Sequence, residues 1–412
     1  MVYFACGFQN GLNAYILPSC KVDFDLTSTE MGLLNALFLA GGMSSSYVSG
    51  VLADVMGRRP AIAISLLGDS ICSLFASIAP TFPMFAGLRF VSGILVGGPS
   101  AIVFLYISEY LPAVRRPPYI LTVGIFWTVS WMLLPALSWG ILPEDWPLHL
   151  PIPFTPWRLL VALTSIPSLL GGFLTLFLPE TPCYLASRGR MADSLKVLSI
   201  MYATNSGRHE NDYPVRSLSM EGIATQTSAS RSRVWTALKE MKSQFGTLLT
   251  RPILSRTFTG CAANFCNMFS YYGLVLWLPE LFSRFEVHYD LHPNKTMTVC
   301  QLARVWQSEL AEAERNSAEK RSIDEKVFEQ TLIISGVCLV ANILSAVVAT
   351  RVGRRTMPVV LNALSGLLAF AVYFVDSTVA NLIVASLFQA VIGTANTACN
   401  AVLVDLFPAN VR

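Results

Sequence analysis

The residues able to do chemistry in this chain are few, and their placement is unusual. Charge gathers in "GVLADVMGRR" (50–59), where Asp54, Gly57, Arg58 and Arg59 stand between two long apolar runs. A second set, Glu109, Arg115 and Arg116 of "SEYLPAVRR", closes another such run. Deep inside the apolar runs the ionisable list shrinks to Asp69 and Arg89, candidates for a solute pathway or for pairing with polar neighbours within the bundle. What remains there is polar but uncharged: Asn10 and Asn13, Trp127 and Trp131, Asn264 and Asn267, Tyr271 and Tyr272, and Asn396 and Asn400. Trp127 and Trp131 are four apart and share one helical face, as do Asn396 and Asn400. No nucleophile–base set, phosphate-cradling loop or metal-ligand cluster is present, so an enzyme is excluded and neither cofactor nor metal is expected. Charges at a membrane edge must pair with one another or meet water. Aromatic walls with a few amides suit a pathway for a neutral or cationic organic solute.

The elements that must position these residues follow from composition. The 412 residues are 53% hydrophobic and only 13% charged, with 24 Phe and 8 Trp. A water-soluble domain carries roughly 25% charged residues, so the expected solvent is a lipid bilayer. Apolar runs near 2–20, 30–53, 60–80, 83–111, 117–142, 157–178, 257–282, 329–350, 357–375 and 379–407 give ten candidate spans. The loops after the even-numbered spans, with the C-terminal end, hold 19 of the 29 Lys and Arg. The positive-inside rule then places those loops and the N-terminus in the cytoplasm. Residues 1–182 are expected to form a first six-helix half, 183–256 a cytoplasmic linker open to protein partners, and 257–412 a second half. Its loop 283–328 is expected outside the cytoplasm and carries one sequon, Asn294-Lys295-Thr296, a candidate glycosylation site. The net charge of +3 is small, and no nucleic-acid partner is expected.

The second half contains an echo of the first. "AVVATRVGRR" (346–355) places Gly353, Arg354 and Arg355 at an offset of 296 from Gly57, Arg58 and Arg59. Asp405 and Pro408 of "VDLFPANVR" match Glu109 and Pro112 at the same offset, and Arg412 matches Arg116. Two motifs in one register indicate a duplicated half. Thr350 stands where the acid Asp54 stood, so pairing in this second charged loop is expected to be weaker or to use Asp405. By symmetry two spans should follow Arg412. Truncation is the favoured expectation, a natural ten-span variant the other, and the first span also looks clipped at its start.

These residues carry a resemblance. G-x-x-x-D-x-x-G-R-R, "RFVSGILVGG" (89–98) and "LPETPCYLASRGRMADSLKVL" (178–198) resemble the loop signatures of the major facilitator superfamily, in its sugar- and organic-ion-transporter branch. "FSYYGLVLWLPEL" (269–281), "PWRLLVALTSIPS" (156–168) and "VDLFPANVR" are similar to the synaptic vesicle glycoprotein 2 group. The resemblance implies an all-α polytopic fold of two pseudo-symmetric six-helix halves, in a vesicle or plasma membrane. It implies transport of a small organic solute by alternating access, with the charged loops as the latch. In that group the stretch matching "FQNGLNAYILPS" carries an acid-glycine-x-acid pattern, and an aspartate matches Asn400. Here Asn10, Asn13 and Asn400 replace those acids, which puts proton coupling in doubt. The replacements also keep a second expectation open: a transport-inactive binding or trafficking protein of vesicle membranes.

Overall fold

The computed structural model describes residues 1–112, 116–143, 155–218, 250–251, 253–278, 325–348, 356–375 and 377–406, with isolated positions between 246 and 301. Among them the regular structure is helical. The first half comprises α1 (Val2–Phe24), α2 (Ser28–Met56), α3 (Arg58–Ser77), α4 (Phe82–Tyr110), α5 (Arg116–Ile141) and α6 (Pro156–Thr175). Two short helices follow, α7 (Pro182–Ser187) and α8 (Met191–Ser206). Then come α9 (Ile253–Val275), α10 (Glu325–Val348), α11 (Thr356–Ala371) and α12 (Thr378–Leu406).

Each of the ten expected spans falls on one of these helices, and local chemistry sets their ends. Thr27 closes a capping box with Glu30 at the start of α2, Oγ1 accepting from the Glu30 N–H at 3.3 Å. Pro156 and Pro182 open α6 and α7, where the missing N–H costs nothing. Gly57 ends α2 at φ 106° and lets α3 begin immediately. Six helices are long and apolar enough to cross a bilayer alone: α3, α4, α5, α6, α10 and α12. The two parts of α2, bent by 45°, make a seventh if taken together. Helices α1 and α9 have the length of a span, but Gln9, Asn10 and Asn13 in one and Asn264 and Asn267 in the other lower their apolarity.

Packing assembles two units. In the first, α2 lies along α4, α3 packs on α4 and α6, and α1 packs on α5 and α6. The α2–α4 contact is backbone to backbone: a Cβ on Gly41 would collide with the Phe90 carbonyl, and one on Gly93 with that of Phe38. In the second, α9 and α11 pack on α12, and α10 pairs with both α12 and α5. One apolar cluster joins the units, with Phe8, Leu12, Trp131 and Leu134 meeting Tyr271, Val275, Phe328 and Phe388. Large apolar side chains such as Phe173, Phe177, Phe258 and Phe265 point outward. A bilayer accepts such a surface, whereas water would not.

Candidate functional site

The charged loop is built where α2, α3, α4 and α7 meet. Arg58 sits at the centre. Its guanidinium lies 3.1 Å from Asp54, one turn back, and 3.2 Å from Glu109 at the end of α4. It also donates to the Ala53 carbonyl at 3.3 Å and faces the Tyr184 ring. Glu109 is only 12% exposed and Asp54 59%, so Glu109 is the partner with more at stake. Below them the carboxylate of Glu180 caps the start of α3. It accepts from the backbone N–H of Arg58 and Arg59, each at 3.2 Å, and of Thr181 at 2.9 Å. Tyr184 Oη and Arg188 donate to the Val55 carbonyl at 3.0 and 3.2 Å, while Tyr106 and Tyr110 donate to Pro179 O. Arg59 reaches the Leu176 carbonyl. Among the described residues, all of these contacts stay within 53–188.

Inside the bundle, Arg89 and Asp69 have no solvent exposure. Arg89 donates to Asn13 Oδ1 at 3.0 Å and to the side-chain and backbone oxygens of Gln9, each at 2.8 Å. Asp69 accepts from Ser92 at 2.5 Å and Ser168 at 2.7 Å. These two charges, with Gln9 and Asn13, therefore form a network inside the first unit. At the opposite membrane face a further bracket forms. Arg158 is 4% exposed and donates to the Ala79 carbonyl at 2.6 Å and the Ser77 carbonyl at 3.3 Å. Its guanidinium lies 3.5 Å from Asp23, which also accepts from Trp157 Nε1 at 3.1 Å.

The third region is the seam between the units. Trp131 stacks near Tyr271, ring centroids 6.1 Å apart, and Tyr271 contacts Tyr272 edge-on. A small cavity of about 10 Å³ is lined by Tyr15 of α1, Trp131 of α5, Thr331 and Ser335 of α10 and Gln389 of α12. That is room for about one water. Hydrogen bonds that cross the seam include Ser335 to the Trp131 carbonyl at 3.2 Å and Asn342 to Thr128 at 2.7 Å. Polar atoms buried without a partner include Trp131 Nε1 at this seam, Asn10 Oδ1 on α1 and, on α9, Asn264 Oδ1 and both amide atoms of Asn267. Asn267 and Tyr271 share the buried face of α9. Asn35 on α2 and Asn381 on α12 are in the same condition. A buried polar atom left unbonded costs about 1–3 kcal/mol; others of this kind lie away from the seam, on Ser70, Glu109 and Arg158.

The structure thus brings together Asp54, Gly57, Arg58, Arg59 and Glu109 at the boundary. Asn13, Asp69 and Arg89 meet in the first unit, and Trp131 meets Tyr271 and Tyr272 at the seam. Trp127 stacks on Tyr3 of α1 at 5.0 Å, and Asn396 lies half-buried on α12. Arg115, Asn294, Gly353, Arg354, Arg355 and Arg412 lie outside the described residues, as do the side chains of Arg116, Asn400 and Asp405. Sequence reading missed Glu180, Tyr184 and Arg188 as parts of the charged loop, although "LPETPCYLASRGR" held them. It also missed Gln9, Ser73, Ser92 and Ser168, which look like packing residues in apolar helices, and Arg158.

Among the described residues, a bundle of apolar helices carries a charged loop at one face and a polar seam between two units, an arrangement found in secondary transporters. The chain belongs to the sugar (and other) transporter family, whose model matches residues 4–301, and it has the major facilitator fold. Human synaptic vesicle glycoprotein 2B is 27% identical over 299 residues, covering 68% of this chain and 44% of that protein. Synaptic vesicle glycoprotein 2A of Rattus norvegicus is 28% identical over 303 residues, covering 67% and 40%. The chain therefore spans less than half the length of these curated relatives. The xylose transporter XylE from E. coli, in a partially occluded inward open conformation, superposes with a TM-score of 0.66 at 16% identity, covering 98% of this chain and 86% of that one.

Proposed function

We propose that this protein moves a small organic solute across a vesicle or plasma membrane by alternating access, with the seam as the solute site. The carrying observation is the set of unpartnered polar atoms on Trp131 at the junction of the two units, on Asn10 of α1, and on Asn264 and Asn267 of α9. A solute offering both donors and acceptors would satisfy them, and none of these side chains carries a charge. That supports a neutral or weakly cationic cargo, moved without a proton carried at these positions. Rocking of the units would break the Ser335–Trp131 and Asn342–Thr128 bonds, and the Glu180–Arg58–Glu109 loop would keep α2, α3 and α4 one body while this happens. The positive-inside rule places that loop and the N-terminus in the cytoplasm, with 183–256 as the surface for protein partners.

The test is uptake of radiolabelled D-xylose and tetraethylammonium by full-length protein in liposomes, paired with thermal unfolding. Trp131→Phe keeps an aromatic face but removes the unbonded N–H together with part of a buried indole, so a modest fall in Tm accompanies the raised KM. One lost hydrogen bond of about 1.4 kcal/mol corresponds to a tenfold rise in KM. Asn267→Leu removes a buried unpartnered amide, so it raises Tm while uptake falls. Wild-type KM in both variants would remove the seam as the solute site.

A further inference from the structure

Asp69 on α3 and Arg89 on α4 are buried charges of opposite sign that do not touch. Every group bonded to either one is neutral. The carboxylate accepts from two serine hydroxyls, one on α4 and one on α6. The guanidinium donates to two amide oxygens and one carbonyl of α1, and lies over the Phe38 ring at 4.5 Å. A continuous polar bridge joins them. The amide of Gln9, which accepts from Arg89, donates to Ser73 Oγ at 3.1 Å and to the Thr164 carbonyl at 3.2 Å. Ser73 stands one turn beyond Asp69 on α3, and Ser92 one turn beyond Arg89 on α4.

Neutral hydrogen bonds replace part of the hydration that a buried ion loses, but they leave its net charge uncompensated. The membrane interior screens poorly, and Coulomb attraction falls only as the inverse of distance, so each charge feels the other across the bridge. No other Asp, Glu, Lys or Arg lies in the interior of α1 to α6 among the described residues. We infer that Asp69 is the counter-ion of Arg89, acting through the Ser73–Gln9 bridge, and that the pair fixes the rotation of α1. All three hydrogen bonds of Arg89 go to Gln9 and Asn13, which flank Asn10. Locking those two residues into the first unit leaves Asn10 and Tyr15 turned toward the seam. Asp69 and Arg89 are then positioning residues, and only this last step rests on the transport reading.

The experiment compares thermal unfolding of the detergent-purified full chain with that of Asp69→Asn, Arg89→Met, the double variant and Asp69→Glu. Asparagine is nearly isosteric with aspartate and keeps both serine partners after their hydroxyls rotate, so it removes charge alone. Each single neutralisation strands the opposite charge and lowers Tm by several degrees. The double variant strands neither and is more stable than either single one. Asp69→Glu, which keeps the charge but not the shape, loses less than Asp69→Asn. Should a single variant fail to yield folded protein, recovery of a monodisperse species in the double variant gives the same positive result. An additive double variant, a double variant that also fails to fold, or Asp69→Asn at wild-type Tm would overturn the counter-ion assignment. None of these measurements needs a solute, so they stand apart from the transport reading. Where wild-type protein takes up a probe solute, the rescued double variant shows a raised KM, because α1 is no longer held. Wild-type KM in that variant would overturn the positioning role.

Discussion

Gly57→Ala tests the charged loop most directly, because two separate costs meet at one Cβ. Gly57 has φ 106° and ψ 158°, a conformation open essentially to glycine alone. Forcing a side-chain-bearing residue into it costs about 2 kcal/mol. The added Cβ would also collide with the Glu180 carboxylate and press on the Tyr184 ring. Glu180 must swing aside and give up its bonds to the Arg58 and Arg59 N–H groups. With water replacing part of each bond at the membrane edge, that loss is about 2 kcal/mol. The total of about 4 kcal/mol corresponds to a fall in Tm of about 5 °C for a chain of this size. Glu180→Ala alone forfeits only the bonds, so it should lower Tm by about 2 °C. In Gly57→Ala/Glu180→Ala there is no carboxylate left to displace. The double variant should be no less stable than Gly57→Ala, a shortfall from additivity of about 2 kcal/mol. The assay is scanning fluorimetry of full-length protein in one detergent. An unchanged Tm for Gly57→Ala, or strict additivity in the double variant, would refute the reasoning.

Other substitutions follow from the same structure. Glu109→Gln removes a carboxylate that is 12% exposed and should cost several degrees of Tm, whereas Asp54→Asn at a 59% exposed site should cost almost nothing. Arg158→Met leaves the Ser77 and Ala79 carbonyls and Asp23 without their donor, an expected loss of about 3 kcal/mol read as lower Tm or yield. Gly93→Ala drives a Cβ into the Phe38 carbonyl of α2 and should lose about 1–3 kcal/mol in the same assay. Gly87→Ala, on the same helix but with open space around its Cβ, should gain about 0.5–1 kcal/mol from helix propensity.

What could be read from the sequence, and what could not, divides by range. Span positions were legible because apolarity must persist for the thickness of a bilayer, and every expected run lies on one helix. The boundary charges were legible for a related reason: Asp54, Arg58 and Glu109 stand out against apolar surroundings. Their binding partner Glu180 was hidden, since 122 residues separate it from Arg58 and no periodicity links a loop after α6 to the start of α3. The serines were hidden differently. Ser73, Ser92 and Ser168 have the size of packing residues, and nothing in their local sequence distinguishes a helix-contact serine from one that solvates a buried carboxylate. Yet Asp69 announced the need for them. A carboxyl in a spanning helix must find donors, and the nearest small hydroxyls on the neighbouring helices are the residues that supply them. The same logic applied to Arg89 leads to Gln9 and Asn13. It places both charges in the packed interior of the first unit rather than at the seam. By contrast, both amide atoms of Asn267 and the Trp131 Nε1 stay without a partner, and on the proposed reading those are the groups a solute would meet.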